Sequence, residues 1–208
     1  MESSNLLNEI YKSRNNLLKQ LKVAGYNISG YENMTINEVY FMHMHGELNF
    51  DVTKNSNETI FIKYHLKSSL RAKNINDMTE AVWASNHFSP ENSIIVLMLD
   101  TEPNSSVLDL VKQIYAEENI YIILYNINRL LFNILDHVMV PTHTVLSPEE
   151  AISFKEKFRI TRNSELPTIS RFDPVAMAKF MRPGEICKIL RSSVNAIESE
   201  YFRLCVNL

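Results

Sequence analysis

Two uninterrupted apolar runs, SIIVLML at 93–99 and NIYIILY at 119–125, bracket the segment SSVLDLVKQIYAEE. A strand with one wet face alternates polar and apolar side chains, whereas a run without alternation is buried on both faces. Two such strands joined by a helical segment predict a parallel βαβ unit, and with it an α/β fold for this part of the chain. Upstream, ELNFDVT (from Glu47) and ETIFIKYHL (from Glu58) read as two more strands separated by the polar turn KNSNE. NDMTEAVWASNHF reads as a helix between them and SIIVLML, and INRLLFNIL, Ile127 to Leu135, as a helix that closes the region.

The N-terminal segment predicts a helix. Leu6, Leu7, Ile10, Tyr11, Leu17, Leu18 and Leu21 fall on one face at helical period, and Gly25 follows as a stop. Thr35 to Glu38 has the spacing of a capping box, so a second helix starts there.

After about residue 136 the signals change. HVMVP reads as a short extended run ending at Pro141. In SPEEAISFKEKF, Ser147 caps, Pro148 takes the first helical position and Glu150 completes a capping box. The stretch LPTISRFDPVAMAKFMRPGEICKILRSS holds three of the chain's seven prolines. Pro167 forces Leu166 to be extended. Asp173 and Pro174 are cap and first residue of a helix VAMAKFM of about two turns, and Arg182-Pro183-Gly184-Glu185 is a type II turn. EICKILR and EYFRLCV read as strands joined by the polar loop SSVNAIES. An α/β domain at 1–136 and a compact α+β domain at 137–208 are the expected organisation.

Composition excludes several functions. The net charge is -3, and residues 131–208 carry ten lysines and arginines against nine acids, so no part is basic enough to hold DNA alone. Cys187 and Cys205 sit in apolar runs and read as two reduced, buried thiols. The N-terminus lacks the apolar core of a signal peptide and no run approaches about 18 apolar residues, so an intracellular, soluble protein is expected. With four glycines the chain has neither a P-loop nor a dinucleotide fingerprint, and no cofactor is expected. His43 and His45 form the closest histidine pair but lack two further ligands for zinc, and His137 and His143 have no nucleophile at a strained turn, so no metal site and no catalytic residue are assigned.

One enzyme-like pattern remains. Metal-dependent nucleases hold an acid on one strand and, on the next, an acid two residues before a lysine. Asp51 and Lys63 fit, but Phe61 stands where the second acid belongs, and one carboxylate cannot build a magnesium site. A nuclease-like architecture here is expected to be inactive. The basic residues Arg171, Lys179, Arg182, Lys188, Arg191 and Arg203 are spread over different faces, which suits a solvated surface or the polar rim of an interface better than a phosphate track.

The order HVMVPTHTVLSPEE, LPTISRFDPVAMAKFMRPGEICKILRSS, YFRL resembles the RNA polymerase subunit called subunit 5 in eukaryotic nuclear enzymes, together with its shorter archaeal counterpart. The resemblance rests on Val140, Pro141, His143, Leu146, Glu149, Glu150, Leu166, Pro167, Ile169, Asp173, Pro174, Val175, Ala176, Gly184, Lys188, Ile189, Arg191, Ser193, Ala196 and Arg203, with no gap needed from Pro141 to Arg203. Departures are Ser192 for a proline, Val194 for an acid, Ile197 for a glycine and Phe202-Arg203 for Tyr-Arg. The resemblance implies a non-catalytic subunit of a DNA-dependent RNA polymerase. Its C-terminal module docks on the largest subunit through Pro141, His143, Leu166, Pro167, Ile169, Asp173, Pro174, Arg182, Gly184, Lys188, Arg191 and Arg203. Its N-terminal part is an inactive nuclease-like jaw near downstream DNA, with Pro103, Asn104, Ser105 and Ser106 at the DNA-proximal tip. Partners implied are the largest subunit and its neighbours, weakly downstream DNA, and no membrane. The departures and the asparagine-rich composition point to a divergent copy from a large DNA virus, in virion and host cytoplasm, or else from a divergent eukaryote, in the nucleus. A free-standing transcription adaptor and a metal-dependent nuclease are the alternatives.

Overall fold

The computed structural model describes residues 2–66, 70–83, 89–193 and 197–208. The chain divides into two compact units, Met1–Asn133 and Ile134–Leu208. Both are mixed α/β, each around its own four-stranded sheet. No helix among the described residues is long and apolar enough to cross a membrane.

The first unit opens with α1 (Glu2–Val23) and α2 (Ile36–His45). Its sheet is ordered β1 (Phe50–Thr53), β2 (Thr59–His65), β3 (Ser93–Leu99), β4 (Tyr121–Asn126). β1 and β2 are antiparallel, while β2, β3 and β4 run parallel. The crossovers use α3 (Ala72–Trp83) and α4 (Ser105–Glu118). Every residue of β3 and β4 is buried, as their unbroken apolar runs require. One sheet face gives Phe61, Ile95, Leu97, Ile122 and Leu124 to a core completed by Ile75 and Val82 of α3 and Val107, Val111 and Ile114 of α4. The opposite face meets α1, where Tyr125 Oη donates to Gln20 Oε1 at 3.4 Å.

The second unit orders its sheet β5 (Thr142–Val145), β7 (Ile186–Ser192), β8 (Glu198–Val206), β6 (Thr168–Ser170). β7 is antiparallel to β5 and β8, and β6 runs parallel to β8. Alternation along β7 and β8 sends side chains to two cores. Cys187, Ile189 and Cys205 pack with Ile169, Ala176 and Met181 beside α6 (Pro174–Ala178). Ile186 and Leu204 pack with Leu166 and with Phe154 of α5 (Pro148–Lys157). Both thiols are free and buried.

Three local expectations need correction. Ile127–Leu135 is not a helix but two 3-10 turns, Ile127–Leu130 and Ile134–Asp136; Asn126 Oδ1 accepts from Asn128 N–H at 2.8 Å and tightens the chain where an α-helix would start. HVMVP is a turn, not an extended run, closed by Val140 N–H to His137 C=O at 2.9 Å. VAMAKFM forms a shorter helix than expected, since α6 ends at Ala178. The end of NDMTEAVWASNHF and the tip of SSVNAIES (Val194, Ala196) lie outside the described residues.

Candidate docking surface of the C-terminal unit

The backbone of Leu166–Ser193 is fixed at three points, each by a residue type suited to it. Leu166 is extended before Pro167, at φ -91 and ψ 139. Asp173 caps α6, its Oδ1 accepting from Val175 N–H at 2.9 Å and Ala176 N–H at 3.4 Å, with Pro174 where no donor is missed. In Arg182-Pro183-Gly184-Glu185, Gly184 sits at φ +99 and Glu185 N–H closes the turn on Arg182 C=O at 3.1 Å. Glu185 Oε2 also accepts from Arg182 N–H at 2.8 Å. Two bonds tie this turn to β8: Gly184 N–H to Cys205 C=O at 2.9 Å and Cys205 N–H to Glu185 C=O at 2.8 Å.

Between cap and turn, α6 ends in a Schellman motif. Met181 N–H donates to Ala176 C=O and Phe180 N–H to Met177 C=O, both at 3.0 Å, with Phe180 at φ +54. Glycine is usual there; here the buried Phe180 ring holds a conformation its Cβ resists.

These devices leave Pro167, Pro174, Gly184 and Arg191 exposed and Pro141, Asp173, Arg182, Lys188 and Arg203 half-buried. Leu166 and Ile169 are inside the unit's two cores. His143 is buried in β5 and its Nδ1–H donates to Pro141 C=O at 2.6 Å, which fixes the tautomer. Along the β7–β8 hairpin Lys188 pairs with Glu200, holding that carboxyl below its usual range, and the Arg191 guanidinium lies 5.1 Å from the Tyr201 ring centroid. Arg203 Nη1 donates to Thr168 C=O at 3.0 Å.

Arg171 departs from the surface reading. It is 1% exposed, and its Nη1 donates to Asn207 Oδ1 at 2.9 Å. The one signal for this in the sequence is its place just beyond the strand TIS. The sequence reading also missed Val138 and Met139, residues 93% and 79% exposed in the turn before β5.

In the first unit, Pro103–Ser106 is a helix start rather than a free loop. Asn104 Oδ1 caps α4 through Val107 N–H at 2.9 Å, and Ser105 and Ser106 are its first residues. Glu102 is tied inward to Asn126 Nδ2 at 3.2 Å and Arg129 Nε at 2.8 Å. Asp51 and Phe61 are direct partners across β1 and β2, and Phe61 lies in the core. Among the described residues no three His, Cys, Asp or Glu side chains are grouped as metal ligands.

Residues 132–205 match the family model described as "RNA polymerase Rpb5, C-terminal domain". The "DNA-directed RNA polymerase subunit Rpo5" of Thermococcus kodakarensis is 45% identical over 75 residues, 36% of this chain and 90% of that protein. The protein of the same name from Archaeoglobus fulgidus is 43% identical over 75 residues, 36% of this chain and 97% of its own length. That from Thermofilum pendens is 44% identical over 73 residues, 35% of this chain and 90% of its length. The matched residues are those that cap α6, set the Arg182–Glu185 turn and build the second sheet, and through them the chain belongs to the RNA polymerase subunit 5 family, archaeal members included.

Proposed function

We propose that this chain is a non-catalytic subunit of a multisubunit DNA-dependent RNA polymerase, with the second unit docking on the largest subunit and the first acting as a jaw along the downstream DNA channel. The observation that carries this reading is the rigid backbone of residues 166–193 within the stretch shared with the archaeal subunits. A surface fixed by cap, Schellman motif and stapled turn loses little freedom on association, which favours recognition by shape. Pro167, Pro174, Gly184 and Arg191, exposed along it, supply apolar and cationic contacts.

The jaw role is supported by Phe61. An acid there could join Asp51 and Lys63 in a nuclease-type site; a phenylalanine packed among Ile95 and Leu97 gives the position to the core instead. Asp100 and Glu102 make the region before α4 acidic, so a DNA-proximal role for Pro103–Ser106 is one of support rather than phosphate binding.

The test is co-purification of Pro174→Leu and Gly184→Val chains with the largest subunit. Both variants are expected to lose stoichiometric assembly, and unimpaired assembly by both overturns the docking reading. Size-exclusion of native extract separates a polymerase subunit, which elutes in a very large complex, from a free-standing adaptor.

A further inference from the structure

We propose that β5 is an acceptor edge, completed in the assembled polymerase by an extended, β-forming segment of another subunit that pairs alongside it. This rests on the docking reading above and names the mode of contact. β5 ends the order β5-β7-β8-β6 and, among the described residues, is bonded on one side only. Leu146 N–H donates to Ile186 C=O at 2.9 Å, and the register pairs Thr144 with Lys188 and Thr142 with Leu190 in the same phase. In an antiparallel ladder the intervening residues turn their backbone groups the other way. The N–H and C=O of His143 and Val145 therefore face outward, and among the described residues no hydrogen bond covers them.

The opposite edge is blunted. β6 is three residues long, and Arg203 caps Thr168 C=O. Nothing comparable guards β5: Pro141-Thr-His-Thr-Val-Leu146 has no lysine, acid or internal proline, the usual means of discouraging pairing. An independent observation lies next to it in sequence, since Val138 and Met139 are almost wholly exposed in the turn that leads into the strand. Unpaired strand groups beside bare apolar side chains fit an extended backbone carrying apolar side chains. The partner is another polymerase subunit because the family is one of polymerase subunits.

The experiment is residue-resolved hydrogen exchange on the full chain, free and within purified polymerase. Val145 and His143 amides are expected to exchange freely in the isolated chain and to slow by roughly 100-fold or more on assembly. Unchanged exchange in a stoichiometric complex overturns strand addition while leaving docking intact; absence of the chain from the complex overturns the docking reading and strand addition with it. Protection already present in the isolated chain, with a dimer mass by light scattering, overturns it in favour of pairing between two copies. Val145→Pro removes an N–H that makes no bond among the described residues, so it is expected to keep the native melting transition and lose at least roughly 10-fold in affinity for the partner assembly. Native melting with unchanged assembly overturns the proposal; should the variant fail to fold, the exchange measurement on the unaltered chain decides.

Discussion

The guanidinium carbon of Arg14 lies 4.2 Å from the centroid of the Phe50 ring, and Arg14 is fully buried. Its Nη1 donates to Leu48 C=O at 3.0 Å, Nη2 approaches Met34 Sδ at 4.0 Å, and Nε has no hydrogen-bond partner among the described residues. A ring face and a carbonyl thus balance a cation inside the first unit. Burial pushes the neighbouring Tyr64 phenol above its ordinary range, opposed by the positive charge of Arg14.

A buried charge so compensated adds little net stability over an apolar side chain of similar length. Arg14→Met is expected to unfold in urea within about 1.5 kcal/mol of the parent. Phe50→Ala, which opens a cavity and strips the cation of its ring, is expected to lose about 3–5 kcal/mol. Equal losses in both variants would refute this account.

Arg159 and Phe180 occupy the same left-handed position after α5 and α6, at φ 55 and 54, yet only Phe180 is buried. Arg159→Gly is expected to stabilise the unit by up to about 1 kcal/mol, relief of strain exceeding the added freedom of the unfolded chain. Phe180→Gly is expected to destabilise it by about 3 kcal/mol, because the lost ring outweighs the same relief. Thermal denaturation of the two variants gives opposite signs.

Among the described residues nothing lies within 4 Å of where a Cβ on Gly184 would go, so the cost of a side chain there is conformational. Gly184→Ala and Gly184→Ser are expected to lose the same amount, about 1–2 kcal/mol, read as a fall in melting temperature. A markedly larger loss for serine would reveal a steric cost that the geometry denies.

Burial pushes the Cys187 thiol up to about 11 and the Cys205 thiol up to about 12. A thiol raised above its unfolded value stays neutral in the fold. Its contribution is fully present below an unfolded pKa of about 8.5 and is lost as pH rises through 11 to 12. Unfolding free energy is expected to fall above about pH 9 in the parent and less steeply in a Cys187→Ala, Cys205→Ala chain. Alkylation by iodoacetamide at neutral pH is expected only after denaturant is added.

Much of this was legible where residue chemistry is local. The βαβ unit follows from two runs without alternation, and caps at Thr35, Ser147 and Asp173 follow from side chains that can reach a backbone N–H. The type II turn follows from Pro183-Gly184. Ile127–Leu135 was misread because its apolar period is helical while Asn126 offers the backbone a tighter turn. Arg14 shares the period of Ile10, Leu17 and Leu21, so its burial was visible in spacing and hidden only by its charge. The open edge of β5 was not legible: which strand ends a sheet depends on pairings distant in sequence.

β8 stands between β7 and β6, although it is made after both. On the ribosome β5 can zip to β7 as soon as both emerge, but β6 has no strand to lie against until Glu198–Val206 appears. For that interval Thr168–Ser170 and the flank of β7 lack the strand that later pairs with them, so the nascent chain presents open strand edges that the finished unit conceals.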